Sequence, residues 1–333
     1  MYELLGICLF LAALILLNAC ASLAAAVIWR LAAPLVGSFS ARARADLLFM
    51  LRLAAPALAA ITVVAFLIPA YLSYEPRATS ERVSMKLASL AFLSAASVAF
   101  AVWRTIRSWR ATAGLLKQWL ATAAPIQLPG INIPAFRIAH SFPIIAVVGT
   151  FRPQLFIADN VLTALNADEL AAAISHECGH LTARDNLKRT LLCICRDSLL
   201  LVPFGRAVDA AWAENTESAA DEFAARQSPA MALNLASALV QIAKMVPVGV
   251  RAEVPLGAYL VGAEQTQGVK SRIRRLIEIS SDRSAVTDSD RLVRLLPAAA
   301  FLALALGAAI AATNTKVLLG VHSIVEQAVH VLS

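Results

Sequence analysis

Charge is scarce in this sequence. Asp, Glu, Lys and Arg together make up 15% of its 333 residues, against 59% hydrophobic ones. A soluble globular domain carries about a quarter charged residues, so an ordinary water-soluble fold is excluded for much of the chain, as a mean hydropathy of +0.70 also requires. Cysteine is sparse as well. There are five, none in a CxxC pair, which excludes both a disulfide framework and a thiolate zinc site. The opening "MYE" has no positive region ahead of the first apolar run, and that run is too long for a signal peptide. It reads as an anchor, not a cleaved leader. No internal repeat stands out, and no low-complexity tract beyond alanine-rich stretches.

The apolar residues are gathered into runs. Leu4 to Trp29, Leu53 to Tyr74, Leu87 to Trp103 and Leu295 to Thr315 contain no charged residue, and each can cross a hydrocarbon core of about 30 Å as a helix, the third only marginally. The expected organisation is a three-helix membrane anchor over residues 1–103, a polar domain over 104–290, and a final transmembrane helix with a short tail over 291–333. Arg30, Arg42, Arg44 and Arg52 surround the first loop, while Arg104, Arg107, Arg110 and Lys117 follow the third helix with no acid among them. The second loop is nearly balanced, with Glu75 and Glu81 against Arg77, Arg82 and Lys86. The positive-inside rule then places the N-terminus outside and the polar domain in the cytoplasm. Much of the net charge of +7 sits beside membrane ends, where anionic lipid explains it more economically than nucleic acid does.

Within the polar domain, "RIAHSFPIIAVVGTFRPQLFIAD" (Arg137 to Asp159) reads as extended segments broken by a turn at "GTFRP". Asn166, with Glu169 three residues on, is a capping-box start to a helix beginning near Ala167. A second helix is expected over about Ala207 to Arg226. Between them, "TLLCICRDSLLLVPFG" is interrupted by Arg196 and Asp197, so it reads as a core or interfacial helix and not a fifth span.

The first of these helices carries "HECGH". His176 and His180, at i and i+4, share one face and can direct their ring nitrogens at one cation. Glu177, one position round, can serve as general base toward the water that such a site activates. A metal reading needs a third ligand. "ENTESAADEFAARQ" offers Glu217 and Asp221, again at i and i+4: one carboxylate can complete a three-ligand site while the other orients a ligand imidazole. The His2Glu donor set suits Zn2+ best.

HExxH with a downstream ExxxD resembles the membrane gluzincins, which include the CAAX-prenyl and HtpX-type endopeptidases and the BlaR/MecR-type antirepressor peptidases. "HECGHLTARDNL", "VVGTFRPQLFIAD" and "ESAADE" are most similar to the last group. The resemblance covers roughly residues 45 to 315. It implies an α-helical integral membrane protein of about four transmembrane helices with an inserted α+β zincin-like catalytic domain. It further implies His176, His180 and Glu217 as zinc ligands, Glu177 as base and Asp221 behind a ligand. "RIRRL" (Arg272 to Leu276) is similar to a segment of the HtpX-type relatives, which makes Arg272 a candidate oxyanion stabiliser. The histidine-proline pair that precedes it there is replaced here by "QTQGVKS", and a basic helix face near lipid headgroups accounts for Arg272 equally well. "KVLLGVHSIVEQAVHVLS" at the end is too short for the penicillin-binding sensor domain of that group, and its His322 and His330 read as incidental.

The expected function is zinc-dependent hydrolysis of peptide bonds in a regulatory or membrane protein, by an enzyme of the bacterial inner membrane whose catalytic domain faces the cytoplasm. The substrate would pair in extended form with an edge strand within Ile138 to Val148. Two readings stay open beside it: a general quality-control peptidase of the HtpX type, and a non-enzymatic signalling scaffold with a structural metal site. The expected partners are a protein or peptide substrate and the lipid bilayer, with no nucleic acid. Oligomeric state is left open.

Overall fold

The computed structural model describes residues 2–77, 83–128, 131–199, 203–246, 266–281 and 291–332. Of the residues singled out above, Glu81, Arg82, Gln265 and the stretch 200–202 lie outside these.

The chain is mostly helical, and its apolar runs become its longest helices. Helix α1 (Tyr2–Ala32) covers the first run. Helix α2 (Ala41–Thr62), a π turn at Val63–Leu67 and helix α3 (Ile68–Tyr74) form one continuous rod over the second. The π turn has a local cause: Pro69 lacks the N–H that would reach the Ala65 carbonyl, and its ring crowds that turn. Helix α4 (Met85–Thr122) begins at a Ser84 cap and runs well past Trp103. By length and composition, three helices (Tyr2–Ala32, Ala41–Tyr74 and Met85–Thr122) are able to cross a membrane.

The fourth run behaves differently. Helix α11 (Arg291–Ala311) is followed by helix α12 (Thr315–Leu332), and the two are bent by 93° at a short break. Asn314 makes the break, because its side chain accepts from the Lys316 N–H and starts the new helix. The described residues therefore hold three candidate spans, or four if the bent pair counts as one. The final segment folds back against α3. There His322 is buried, 3.9 Å from Glu75 and 3.4 Å from Glu326.

Between α4 and α11 lies the mixed α+β part. Strands β1 (Ala124–Ile126), β2 (Ala135–Ile138), β3 (Ile145–Val148) and β4 (Gln154–Ala158) form one sheet in the order β1-β2-β4-β3. The β2–β4 pairing is parallel, and both outer pairings are antiparallel. Strand β3 is thus an edge, although all four of its residues are buried. The turn leading from it uses Gly149 at φ 108°, where a Cβ would stand 2.7 Å from the Arg152 carbonyl oxygen.

After the short α5 (Asp159–Ala164), helix α6 (Ala167–Ala183) starts with the expected capping box: Asn166 and Glu169 exchange side-chain-to-backbone hydrogen bonds of 2.9 and 3.0 Å. It ends at Arg184, whose left-handed φ of 54° turns the chain directly into α7 (Asp185–Asp197). Helices α8 (Arg206–Ala225), α9 (Pro229–Met245) and α10 (Thr266–Ser281) complete the domain. One apolar core joins the sheet, α6, the end of α8, α9 and α10, and Trp119 of α4 reaches into it.

Candidate metal centre

Helices α6 and α8 approach closely because small residues face one another. Gly179 lies against Ala220, so close that a Cβ there would stand 3.1 Å from the Ala220 Cα and 3.2 Å from the Phe223 Cβ. This approach brings Glu217 of α8 over the two histidines of α6. The His176 and His180 Nε2 atoms are 3.2 Å apart, and the Glu217 carboxylate oxygens lie 3.6 Å from the first and 3.7 Å from the second. Among the described residues these three are the group of His, Cys, Asp and Glu side chains able to hold a metal ion.

The donor set can be tested for fit. Ligand atoms about 2.0–2.1 Å from a tetrahedral zinc stand about 3.3–3.4 Å from one another, close to the separations here. Glu217 Oε2 is buried and accepts no hydrogen bond, although Arg272 Nη1 lies 3.2 Å away. Two imidazole nitrogens facing each other at 3.2 Å repel unless a cation or a proton sits between them. All three features suit a divalent ion.

Each imidazole is held from behind by a carboxylate. His176 Nδ1 is 2.9 Å from Asp221, and His180 Nδ1 is 2.9 Å from Asp185. Nδ1–H donation to a carboxylate fixes the tautomer that leaves Nε2 as the electron donor. Asp185 had no role in the sequence reading. Its signal was present in "HLTARDNL", where one left-handed residue after the helix returns the next side chain to the histidine. Arg184 is the only non-glycine with positive φ among the described residues, a conformation that costs roughly 1–2 kcal/mol.

Arg272 is buried at 8% exposure, which removes the reading of it as a basic face near headgroups. Its Nε and Nη2 donate to the two oxygens of Asp221 at 2.8 and 2.7 Å, and Nη1 reaches Glu217. Burial alone would raise the carboxyls of Glu217 and Asp221. For Glu217 the histidines and Arg272 outweigh it, and for Asp221 Arg272 and His176, so both are held below their ordinary values. Burial likewise opposes protonation of His176, but Asp221 and Glu217 outweigh it and push its pKa up to about 9.

Glu177 sits beside this cluster with its carboxyl raised by burial. Its Oε2 accepts from the Val147 N–H of β3 at 3.1 Å. Asn186, at the start of α7, donates to the Val147 and Gly149 carbonyls at 2.9 and 3.2 Å. The Ala158 N–H bonds the Ile144 carbonyl, so by antiparallel alternation Ile145 and Val147 turn their backbone groups to the open side of the sheet. The base and the edge strand therefore meet at Val147. The cluster is wholly closed at His176 (0% exposed) and opens on the side of His180 and Glu217, at 16% and 17%.

Residues 132–313 match the family model described as "Peptidase family M48", a span of more than half the chain. No curated protein and no solved structure matches it.

Proposed function

The chain belongs to peptidase family M48 and is a metallopeptidase, and from that premise we propose a membrane-embedded zinc endopeptidase. His176, His180 and Glu217 hold the metal, Glu177 is the general base, and Asp221 orients His176. Zinc, when bound, supplies a Lewis acid that acidifies water and polarises a carbonyl. Glu177 takes a proton from the attacking water and passes it to the leaving amine. Burial suits it to the first half of that task, because a carboxylate whose pKa is raised takes up a proton more readily. Arg272, the candidate oxyanion stabiliser, is engaged by Asp221 and Glu217, and we assign it first the balancing of their charge.

A peptide substrate adds alongside β3 through the outward backbone groups of Ile145, those of Val147 being held by Glu177 and Asn186, which brings its scissile bond beside Glu177. Three membrane-crossing helices keep the enzyme at a bilayer, with the basic loops and hence the catalytic part on the cytoplasmic side of a bacterial inner membrane. The proposed division at residues 103 and 290 separates anchor, peptidase domain and final helix by composition, its first boundary falling inside the continuous helix α4. Similarity to the BlaR/MecR-type sequences favours one regulatory protein as substrate over a mixture of damaged membrane proteins.

One observation carries this reading: donors from two helices converge at metal-ligand spacing next to a buried helix glutamate that is hydrogen-bonded to an edge strand. The test compares wild type with Glu177→Gln in cells and in detergent. The variant should bind zinc and cut nothing, and one accumulating protein should mark the regulatory substrate. Several would mark a quality-control enzyme. Undiminished proteolysis would remove Glu177 from the chemistry, and an unchanged proteome would favour the scaffold.

A further inference from the structure

We infer that the first turn of α2, a membrane helix, is a working wall of the metal centre, with Arg42 as a positioning residue for His180. This rests on the metal centre proposed above. Two consecutive residues of that turn grip the two walls of the site. The Ala41 N–H donates to both carboxylate oxygens of Glu222, at 3.3 and 3.2 Å. Glu222 follows Asp221 on the helix that carries Glu217, and Arg275 of α10 pairs with the Oε1 of the same carboxylate. Arg42 reaches the opposite wall. Its Nη1 lies 3.3 Å from Asp185 Oδ1, and its Nη2 donates to the Ala183 carbonyl, in the last turn of the histidine helix, at 3.3 Å.

Asp185 is thus shared: one oxygen faces Arg42 and the other His180 Nδ1. It is almost fully buried, at 3% exposure, and a buried carboxylate needs a partner for its charge. Arg42 supplies that partner and fixes the carboxylate's rotation, which in turn fixes the imidazole. Arg42 is itself braced by Asp46 at 3.1 Å, and Asp46 is held by Lys188 of α7 at 2.6 Å.

The rest of α2 makes this grip rigid. Ala45 and Leu48 pack with Leu192 of α7 and with Val208 and Trp212 of α8. Further along, buried Arg52 pairs with Asp209 at 3.1 Å. Contacts from Ala41 to Glu222 and from Arg52 to Asp209 run in opposite chain directions, so α2 lies antiparallel along most of α8. The separation between the His-bearing and Glu-bearing helices is therefore referred to a helix of the anchor.

The test uses the full chain in detergent with Co2+ as probe, following its visible absorption during titration. Arg42→Ala should weaken Co2+ binding about 10–100-fold, the range expected for loss of a support behind a ligand, and should shift the absorption bands as His180 turns. Lys188→Ala, which touches only the outer brace, should change affinity far less. A folded Arg42→Ala protein with wild-type affinity and spectrum would overturn the inference. Should that variant fail to fold, Arg42→Lys takes its place under the same two outcomes, because lysine keeps the charge but loses the fork that reaches Asp185 and Ala183 together. A wild type that binds no Co2+ would instead overturn the metal centre itself.

Discussion

Replacing Gly179 with alanine tests how the donor set is assembled without touching a donor. The new Cβ would stand 3.1 Å from Ala220 Cα and 3.2 Å from Phe223 Cβ, where carbon contacts are ordinarily about 3.5–4.0 Å. Helix α8 must therefore retreat by about 0.4–0.9 Å at this level. Ala220 is one turn from Glu217, so the ligand carboxylate moves with it. Metal–ligand distances hold within about 0.2 Å, so the shift exceeds what zinc tolerates. Overpacking costs about 1–3 kcal/mol, and loss of a mid-helix glycine returns about 0.5–1 kcal/mol. Stability should fall modestly, while zinc affinity falls tenfold or more. Chelator competition on the detergent-solubilised protein reads the affinity, and thermal unfolding in excess chelator reads the stability. Wild-type affinity in Gly179→Ala would refute the claim that helix contact at Gly179 sets the site.

Two further outcomes follow from the surroundings of the donors. In protein stripped of metal by a chelator, Asp221 and Glu217 should hold the His176 pKa up at about 9, above its ordinary 6.5. Its pairing with Asp221 and Glu217 should stabilise the fold fully below about pH 6.5 and be lost as pH rises through about 9. Unfolding temperatures in chelator that show no decline across that window would contradict the pairing. In the same metal-free protein burial raises the Glu177 carboxyl, so the difference between wild-type and Glu177→Gln titrations should show a carboxyl protonating above the ordinary value of 4.5. A carboxyl found at or below that value in the difference titration would contradict the burial of Glu177.

Local signals carried much of the fold. The capping box at Asn166 and Glu169 needs only residues three apart, and it starts α6 where expected. The i, i+4 spacing of His176 with His180 and of Glu217 with Asp221 likewise puts each pair on one helix face. The extent of α4 was not legible, because charged residues after Trp103 mark the end of an apolar run without breaking a helix. That helix continues to Thr122, just before Pro125. Contacts between distant segments were also hidden. The Val147 N–H is separated from Glu177 by 30 residues, and Arg42 from Asp185 by 143. Nothing in either neighbourhood names the other. Arg272 shows the same limit: an arginine on an amphipathic helix reads as solvated until the fold supplies Asp221 and Glu217 beside it.

The most direct measurement is zinc stoichiometry in the purified full chain by elemental analysis, for wild type, Glu177→Gln and Glu217→Ala. Convergence of His176, His180 and Glu217 on a single ion predicts about one zinc per chain in the first two and little in the third. Zinc retained in full by Glu217→Ala would contradict it.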